Sequence, residues 1–315
     1  MILDKIAILR DRALMFAKVR QFFLERRILE VDCPIISAKA SVDAHIDLIP
    51  ATYASKETRY MHSSPEYGMK RLLSEGIGDI YQLSHVFRDG EFGQKHNPEF
   101  MMAEWYRQGI SFEMMIQETC DFVRLFVGDL PHEVLSYREV FRRYAGIDYF
   151  SLTEKELLCF LKEKSVPFYP GIEEEEKDAL LNLILGTLIE PHLGQDSLFV
   201  LAHYPASQAA LARTCVKEQE QVAERFEIYY RGIELANGYH ELTDVEEQEK
   251  RFISANAQRQ KLGKTSLPID DNFLKALRQG LPDACGVAVG FDRLMMLRHH
   301  KKHLKDVIPF DWSEA

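Results

Sequence analysis

The stretch FRDGEFGQKHNPEF, residues 87–100, lies between two runs that alternate as half-buried strands do, together spanning about residues 80–107. A polar loop interrupted by two glycines, joining two such runs, constrains the chain to a hairpin-like sheet element with a mobile connection. In the run after the loop, Met102, Glu104 and Tyr106 share one face, because strand side chains alternate with period two. A carboxylate and a phenol among apolar neighbours can clasp an ammonium group. Arg88 closes the first run just before the loop.

The elements around this hairpin define the fold class. Residues from about 4 to 30 carry apolar groups at helical spacing, among them Ile6, Leu9, Ala13, Phe16, Val19 and Phe23. The segment EVDCPII then reads as a short strand broken by Pro34, a residue suited to an edge or a bulge. A helix is expected over about 111–127, and a helical insertion over about 132–195. Strand-like alternation returns at about 197–203, 225–231 and 233–243, followed by a charged helix over about 245–262. Last comes CGVAVGFDRLMML, a short buried strand, a glycine and a helix. The pattern predicts one α+β domain over residues 1–315, with a mainly antiparallel sheet flanked by helices and a helical insertion.

Composition excludes several classes. No run of about 18 apolar residues occurs, so no membrane span is expected. The five cysteines are scattered and odd in number, which fits a reducing compartment and points to the cytoplasm. The formal net charge of −10 runs against the clustered Lys and Arg that phosphate-backbone binding requires, and so against tRNA as a partner. The acidic block Glu173–Glu176 reads as the solvated first turn of a helix. His299 and His303 have a spacing open to zinc, but Arg298, Lys301 and Lys302 beside them oppose a cation, and the cluster reads as a basic helix end. Cys215 and Cys285 read as inert core thiols.

A second set of polar residues lies in GIELANGYHEL, where Asn237, Tyr239 and Glu241 share a face. Glu227 and Glu234 flank a hairpin turn at Arg231-Gly232, and facing acids repel unless a cation lies between them. Mg²⁺ suits such a place, since it takes few carboxylates plus phosphate oxygens. Glu234 and Asn237 have opposite parity and can serve one site only if the chain bulges, which is expected near Gly238. Arg88 and Arg293 offer planar forks suited to phosphates. Neither the G-x-x-x-x-G-K-[ST] loop nor G-x-G-x-x-G is present, so any nucleotide would be held by arginines on an antiparallel sheet.

In combination these segments resemble the class II aminoacyl-tRNA synthetases. FRDGEFGQKHNPEFMMAEWY is similar to their motif 2, GVAVGFDRLMML to motif 3, and FFLERRILEVDCPIIS to the dimer-forming motif 1. SSPEYGMKRLL, HNPEFMMAEWY and IELANGYHELTD resemble substrate-binding segments of the lysine branch. Motif 1 begins within the first thirty residues, so no anticodon-binding domain is expected, and motif 3 has Ala288 where the synthetases carry glycine. With HYPASQAALA and VAERFEIYYRGIELANG, both features resemble the elongation factor P–lysine ligase family, over about residues 5–310.

That resemblance implies a homodimer using ATP and Mg²⁺ to activate (R)-β-lysine, or lysine, and to transfer it to a lysine side chain of elongation factor P. It implies that Arg88 and Arg293 are catalytic, stabilising the α- and γ-phosphates, and that Phe100 stacks under adenine. His96, Asn97, Gly90, Glu91, Glu234, Leu235 and Gly290 would complete the ATP site, and Glu227 with Glu234 would hold Mg²⁺. Glu66, Glu104, Tyr106, Asn237, Tyr239 and Glu241 would read the substrate amines, with Ser64 lining the pocket and the Ala288 methyl on its floor. Relatives carry Glu two residues after the motif 2 arginine; here that residue is Gly90, with Glu91 beside it. Two rivals stay open at this stage: a truncated lysyl-tRNA synthetase-like enzyme, and a non-catalytic amino-acid-sensing paralogue.

Overall fold

The computed structural model describes residues 2–39, 41–169, 171–174 and 176–315. It divides into two compact units, Met1–Asp129 with Glu241–Ala315, and Leu130–His240.

The first unit begins with the helix Ile2–Glu25, which buries Ile8, Met15, Val19 and Phe23 along one side. The chain reverses at Arg27, in the left-handed region (φ 57°), and Leu29–Glu30 then pairs parallel with Ile80–Phe87. Pro34 separates this pair from the next short strand, Ile36–Ser37, as a residue without an N–H donor should. Strands Ile80–Phe87 and Glu99–Gln108 form the expected hairpin, antiparallel from Ile80↔Tyr106 to Phe87↔Glu99. Ala284–Gly290 lies antiparallel on the other side of Glu99–Gln108, from Ala284↔Gln108 to Gly290↔Met102. Behind this sheet, Phe23 stacks on Tyr81 at 4.0 Å and meets Trp105 and Phe122 at 5.3 and 5.7 Å.

Helices Phe112–Val127, Val245–Lys261 and Phe291–Arg298 stand where periodicity predicts them. Ser111 and Asp244 cap the first two, their side chains accepting first-turn amide hydrogens. The sequence pattern does not mark the small sheet Ile36–Ser37, Glu57–Met61 and Pro50–Tyr53, nor the helices Glu66–Ser74 and Asp271–Gly280.

In the second unit, Leu198–Pro205, Glu220–Tyr230 and Ile233–His240 form an antiparallel sheet, extended by Thr214–Lys217 on Glu220–Tyr230. The insertion expected to be helical from about 132 in fact opens with a strand, His132–Ser136, parallel to Leu198–Pro205. Among the described residues, each unit thus holds one parallel pair beside its antiparallel ones. Helices follow, with capping boxes at Ser136 and Thr153 starting Tyr137–Val140 and Glu154–Glu163. Their apolar sides, including Tyr137, Phe141, Leu157, Leu180 and Ile184, pack with Leu201 and Tyr204 into one core. The acidic block is not one helical turn. Ile172–Glu174 is a 3-10 turn, Glu175 lies outside the described residues, and Glu176 precedes the helix Lys177–Ile184.

The Arg231-Gly232 turn is as expected: both residues have positive φ (52° and 66°), the geometry that matches a two-residue hairpin to strand twist.

Candidate active site

Three groups of predicted residues come together, two in the first unit and one in the second. In the first, the Arg88 amide donates to the Pro98 carbonyl at 2.9 Å, closing the loop at its base. The Arg88 guanidinium lies 5.1 Å from the centroid of the Phe100 ring, and its Nη1 is 3.8 Å from Glu91 Oε1. Gly90 has φ +76°, with open space around it. The turn therefore favours glycine, and it swings Glu91 back toward Arg88. Arg293, in the first turn of Phe291–Arg298, donates from Nη2 to His96 Nε2 at 2.8 Å. Burial, and then Arg293, lower the His96 pKa, which agrees with a neutral ring accepting that bond. Asn97 is buried and donates to the Glu99 carbonyl, while its oxygen accepts from the Trp312 amide. Arg88, Phe100, His96 and Arg293 thus line one loop-and-helix surface.

Sequence reasoning missed what fixes that surface. Asp292 is 2% exposed; its Oδ2 accepts from the Met101 amide at 2.8 Å, and its Oδ1 lies 2.5 Å from Arg12 Nη1. Arg12 comes from the first helix, with its guanidinium 5.2 and 5.0 Å from the Phe16 and Phe291 rings. One buried ion pair therefore ties the loop strand, the Arg293 helix and the first helix together.

The second group is a largely buried polar cluster. Ser64 Oγ and Tyr106 OH each donate to Glu104 at 2.7 Å. Burial, then the charge of Glu66, push the Glu104 carboxyl up to about 8, although Ser64, Tyr106 and Lys70 oppose the shift. Glu66 opens the helix Glu66–Ser74, and Glu241 is held by its amide on the Ala284 carbonyl at 2.9 Å. Burial, with Glu104, Glu66 and Glu241 nearby, raises the Tyr106 pKa, so the phenol stays protonated as a donor. Facing Tyr106, Glu104 and Met102 across the strand pair are Gly286, Ala288 and Gly290, three small residues on one face. Ala288 thus stands directly across from Glu104. At Gly286 a Cβ would fall 2.3 Å from Tyr106 Cε1 and 2.4 Å from Glu241 Oε1, so this glycine is what lets the two side chains meet. Gly286 and Lys70, whose ammonium lies against Glu66 and Glu241, were not singled out from the sequence. Lys70 follows Glu66 by four residues, a spacing that brings them together only because Glu66–Ser74 is a helix.

The third group lies on the hairpin of the second unit. Glu227 pairs with Asn237 and Tyr229 with Glu234, and the register slips by one residue between them. The extra residue is Leu235, not a residue near Gly238 as the sequence suggested. The slip still resolves the parity conflict, because Glu227, Glu234, Asn237 and Tyr239 now share one face. Asn237 Nδ2 donates to the Tyr239 oxygen at 2.9 Å.

The expected metal pair does not form as such. Glu227 is 7% exposed, with Oε1 accepting from Arg225 Nη2 at 2.6 Å and Oε2 from Tyr229 OH at 2.5 Å. A guanidinium already balances this carboxylate, so Glu227 in this arrangement does not fit a metal ligand. Among the described residues, no group of three or more His, Cys, Asp or Glu could hold a metal ion. His299 instead meets Asp11 at 2.9 Å, beside the Arg298–Asp11 pair.

Comparison with known proteins settles the ancestry. The family model for class II tRNA synthetases of the D, K and N type matches residues 4–313. The chain belongs to this family. Within it, the chain is 42% identical over 309 residues to the elongation factor P–(R)-β-lysine ligase of Pasteurella multocida, covering 96% of this chain and 94% of the relative. The protein of the same name from Histophilus somni is 44% identical over 305 residues, covering 95% and 93%. That from Haemophilus influenzae is 42% identical over 309 residues, covering 96% and 94%. The α+β class II architecture expected from the motifs is therefore shown, and the named relatives are ligases.

Proposed function

We propose that the chain is an ATP-dependent ligase that activates (R)-β-lysine, or lysine, as an acyl-adenylate and transfers it to a lysine side chain of elongation factor P. The observation that carries this reading is the polar cluster of half-buried Glu66 with buried Glu104, Tyr106 and Glu241, whose excess of carboxylates suits a ligand bearing ammonium groups. The names of the relatives support the donor and the acceptor.

In the first step the substrate carboxylate attacks the α-phosphorus of ATP and pyrophosphate leaves. Arg88 meets the charge that develops on the α-phosphate, and Arg293 that of the γ-phosphate. Phe100 offers its ring to adenine. That ring now lies beside the Arg88 guanidinium, so stacking a base on the covered face requires Arg88 to move toward the phosphates. In the second step the ε-amine of the acceptor lysine attacks the acyl carbonyl and AMP leaves. The enzyme contributes position and charge rather than a covalent intermediate. Asn237 and Tyr239 would supply further polar contacts to the amino acid. A Mg²⁺ would rely on Glu234 and on phosphate oxygens, not on Glu227.

Exposed Leu14, Leu24, Leu29 and Ile36 on and after the first helix support a homodimer through this region. Among the described residues no helix is long and apolar enough to cross a membrane, and the five cysteines are free, which supports a cytoplasmic protein. The test is the intact mass of elongation factor P after incubation with the protein, ATP and each lysine isomer. A mass gain that needs a lysine isomer supports the ligase, whereas aminoacylated tRNA without modified protein would favour a synthetase. No turnover of ATP with any amino acid would leave a sensing role.

A further inference from the structure

The amine pocket holds one cation that the proposed chemistry does not use. Lys70 is 1% exposed, and its Nζ lies 2.6 Å from Glu66 Oε1 and 2.5 Å from Glu241 Oε2. Burial alone would strip its proton, but Glu241 and Glu66 outweigh that and hold the group charged. The side chain has no route to solvent, so its ammonium is a fixed part of the pocket, not a mobile surface charge.

The charges facing it come from three elements: Glu66 on its own helix, Glu104 beside Tyr106 on the strand Glu99–Gln108, and Glu241 ahead of Val245–Lys261, while Cys33, in the segment after the first helix, lies near Glu104. Burial and Glu104 push the Cys33 thiol up to about 11, so it stays neutral. Tyr106 likewise stays neutral. With every acid ionised, three carboxylates and one ammonium leave an excess of two negative charges.

We propose that Lys70 is a specificity-determining residue: a built-in ammonium that cancels one carboxylate and sets the pocket to accept a ligand with two ammonium groups. This rests on the reading of the substrate as a diamino acid, and deepens it. Without Lys70, Glu66 and Glu241 would face each other in a buried site with no cation between them, and one would keep a proton until a ligand displaced it. Glu104 already behaves in this way in the free pocket, because its carboxyl titrates near 8.

The difference is countable. Titration calorimetry of (R)-β-lysine and of lysine, in two buffers of different ionisation enthalpy at neutral pH, reads the protons released on binding. About one proton should leave the wild-type protein and Lys70→Arg, and about two should leave Lys70→Gln. Binding to Lys70→Gln should weaken by about tenfold or more at neutral pH and recover as the pH rises. A Glu66→Gln, Lys70→Gln double variant removes one charge of each sign, so its proton count should return to that of the wild type. This variant also serves if Lys70→Gln alone does not fold. A folded Lys70→Gln protein, or a double variant, that breaks this order overturns the role given to Lys70. A wild-type protein that binds neither isomer overturns both the substrate reading and the inference, whereas wild-type binding with unordered counts overturns the inference alone.

Discussion

Replacing Gly286 by alanine tests the pocket at its tightest point. The added methyl carbon would fall 2.3 and 2.5 Å from two Tyr106 ring carbons and 2.4 Å from Glu241 Oε1, where ordinary contact begins at 3.4 Å. Both neighbours must therefore retreat by about 1 Å, and a misplacement of that size costs on the order of 10²-fold in rate. Neither can do so easily, because Tyr106 is 3% and Glu241 1% exposed, with Tyr106 bonded to Glu104 and Glu241 paired with Lys70. Overpacking of this kind costs about 1–3 kcal/mol of stability. For a chain of this size that is a fall in Tm of roughly 2–10 °C. Amino-acid-dependent exchange of pyrophosphate into ATP should drop about a hundredfold, chiefly through the KM for the amino acid, with the KM for ATP little changed. Exchange and Tm both at wild-type values would refute the reasoning, since the strand would then have room the structure does not show.

Three further outcomes are expected. Glu104→Gln should flatten the pH dependence of stability: the ordinary carboxyl loses its proton near 4.5 in the unfolded chain but keeps it to about 8 in the native pocket, so native stability falls as pH rises through that window. Thermal melts from pH 5 to 8 would show this slope in the wild type and lose it in the variant. Asp292→Asn should cost about 3–5 kcal/mol by leaving buried Arg12 without its counter-charge, and should raise the KM for ATP; a denaturant melt and a pyrophosphate-exchange titration check each part. Gly90→Ala should lose about 1–2 kcal/mol through its positive φ of +76°, although nothing crowds the position, and Gly90→Glu should carry the same strain; chemical denaturation reads it.

What the sequence disclosed and what it hid follow from the range of the interactions. The hairpin holding Arg88 and Phe100, the common face of Glu104 and Tyr106, and the turn at Arg231-Gly232 depend on neighbours in sequence, and period-two alternation or turn chemistry marks them. The strand His132–Ser136 is partly solvent-facing and pairs with residues more than sixty positions away, so nothing local distinguishes it from the helices that follow. Arg12 and Asp292 meet across almost the whole chain. Each reads in sequence as an ordinary surface charge. The need for a bulge was legible from parity, but its place at Leu235 was not, because a register slip is set by packing on both strands rather than by the residue that is left over.

That slip also fixes what a change in chain length would do. An in-frame deletion of Leu235 would leave Glu234 against Tyr229 and Asn237 against Glu227 in an unbroken ladder, without altering any of those side chains. A homologue that lacks this residue can therefore keep the polar groups of the hairpin on one surface. When such a chain is read, one residue between Glu234 and Asn237 keeps their common face by alternation, and two keep it only through a bulge.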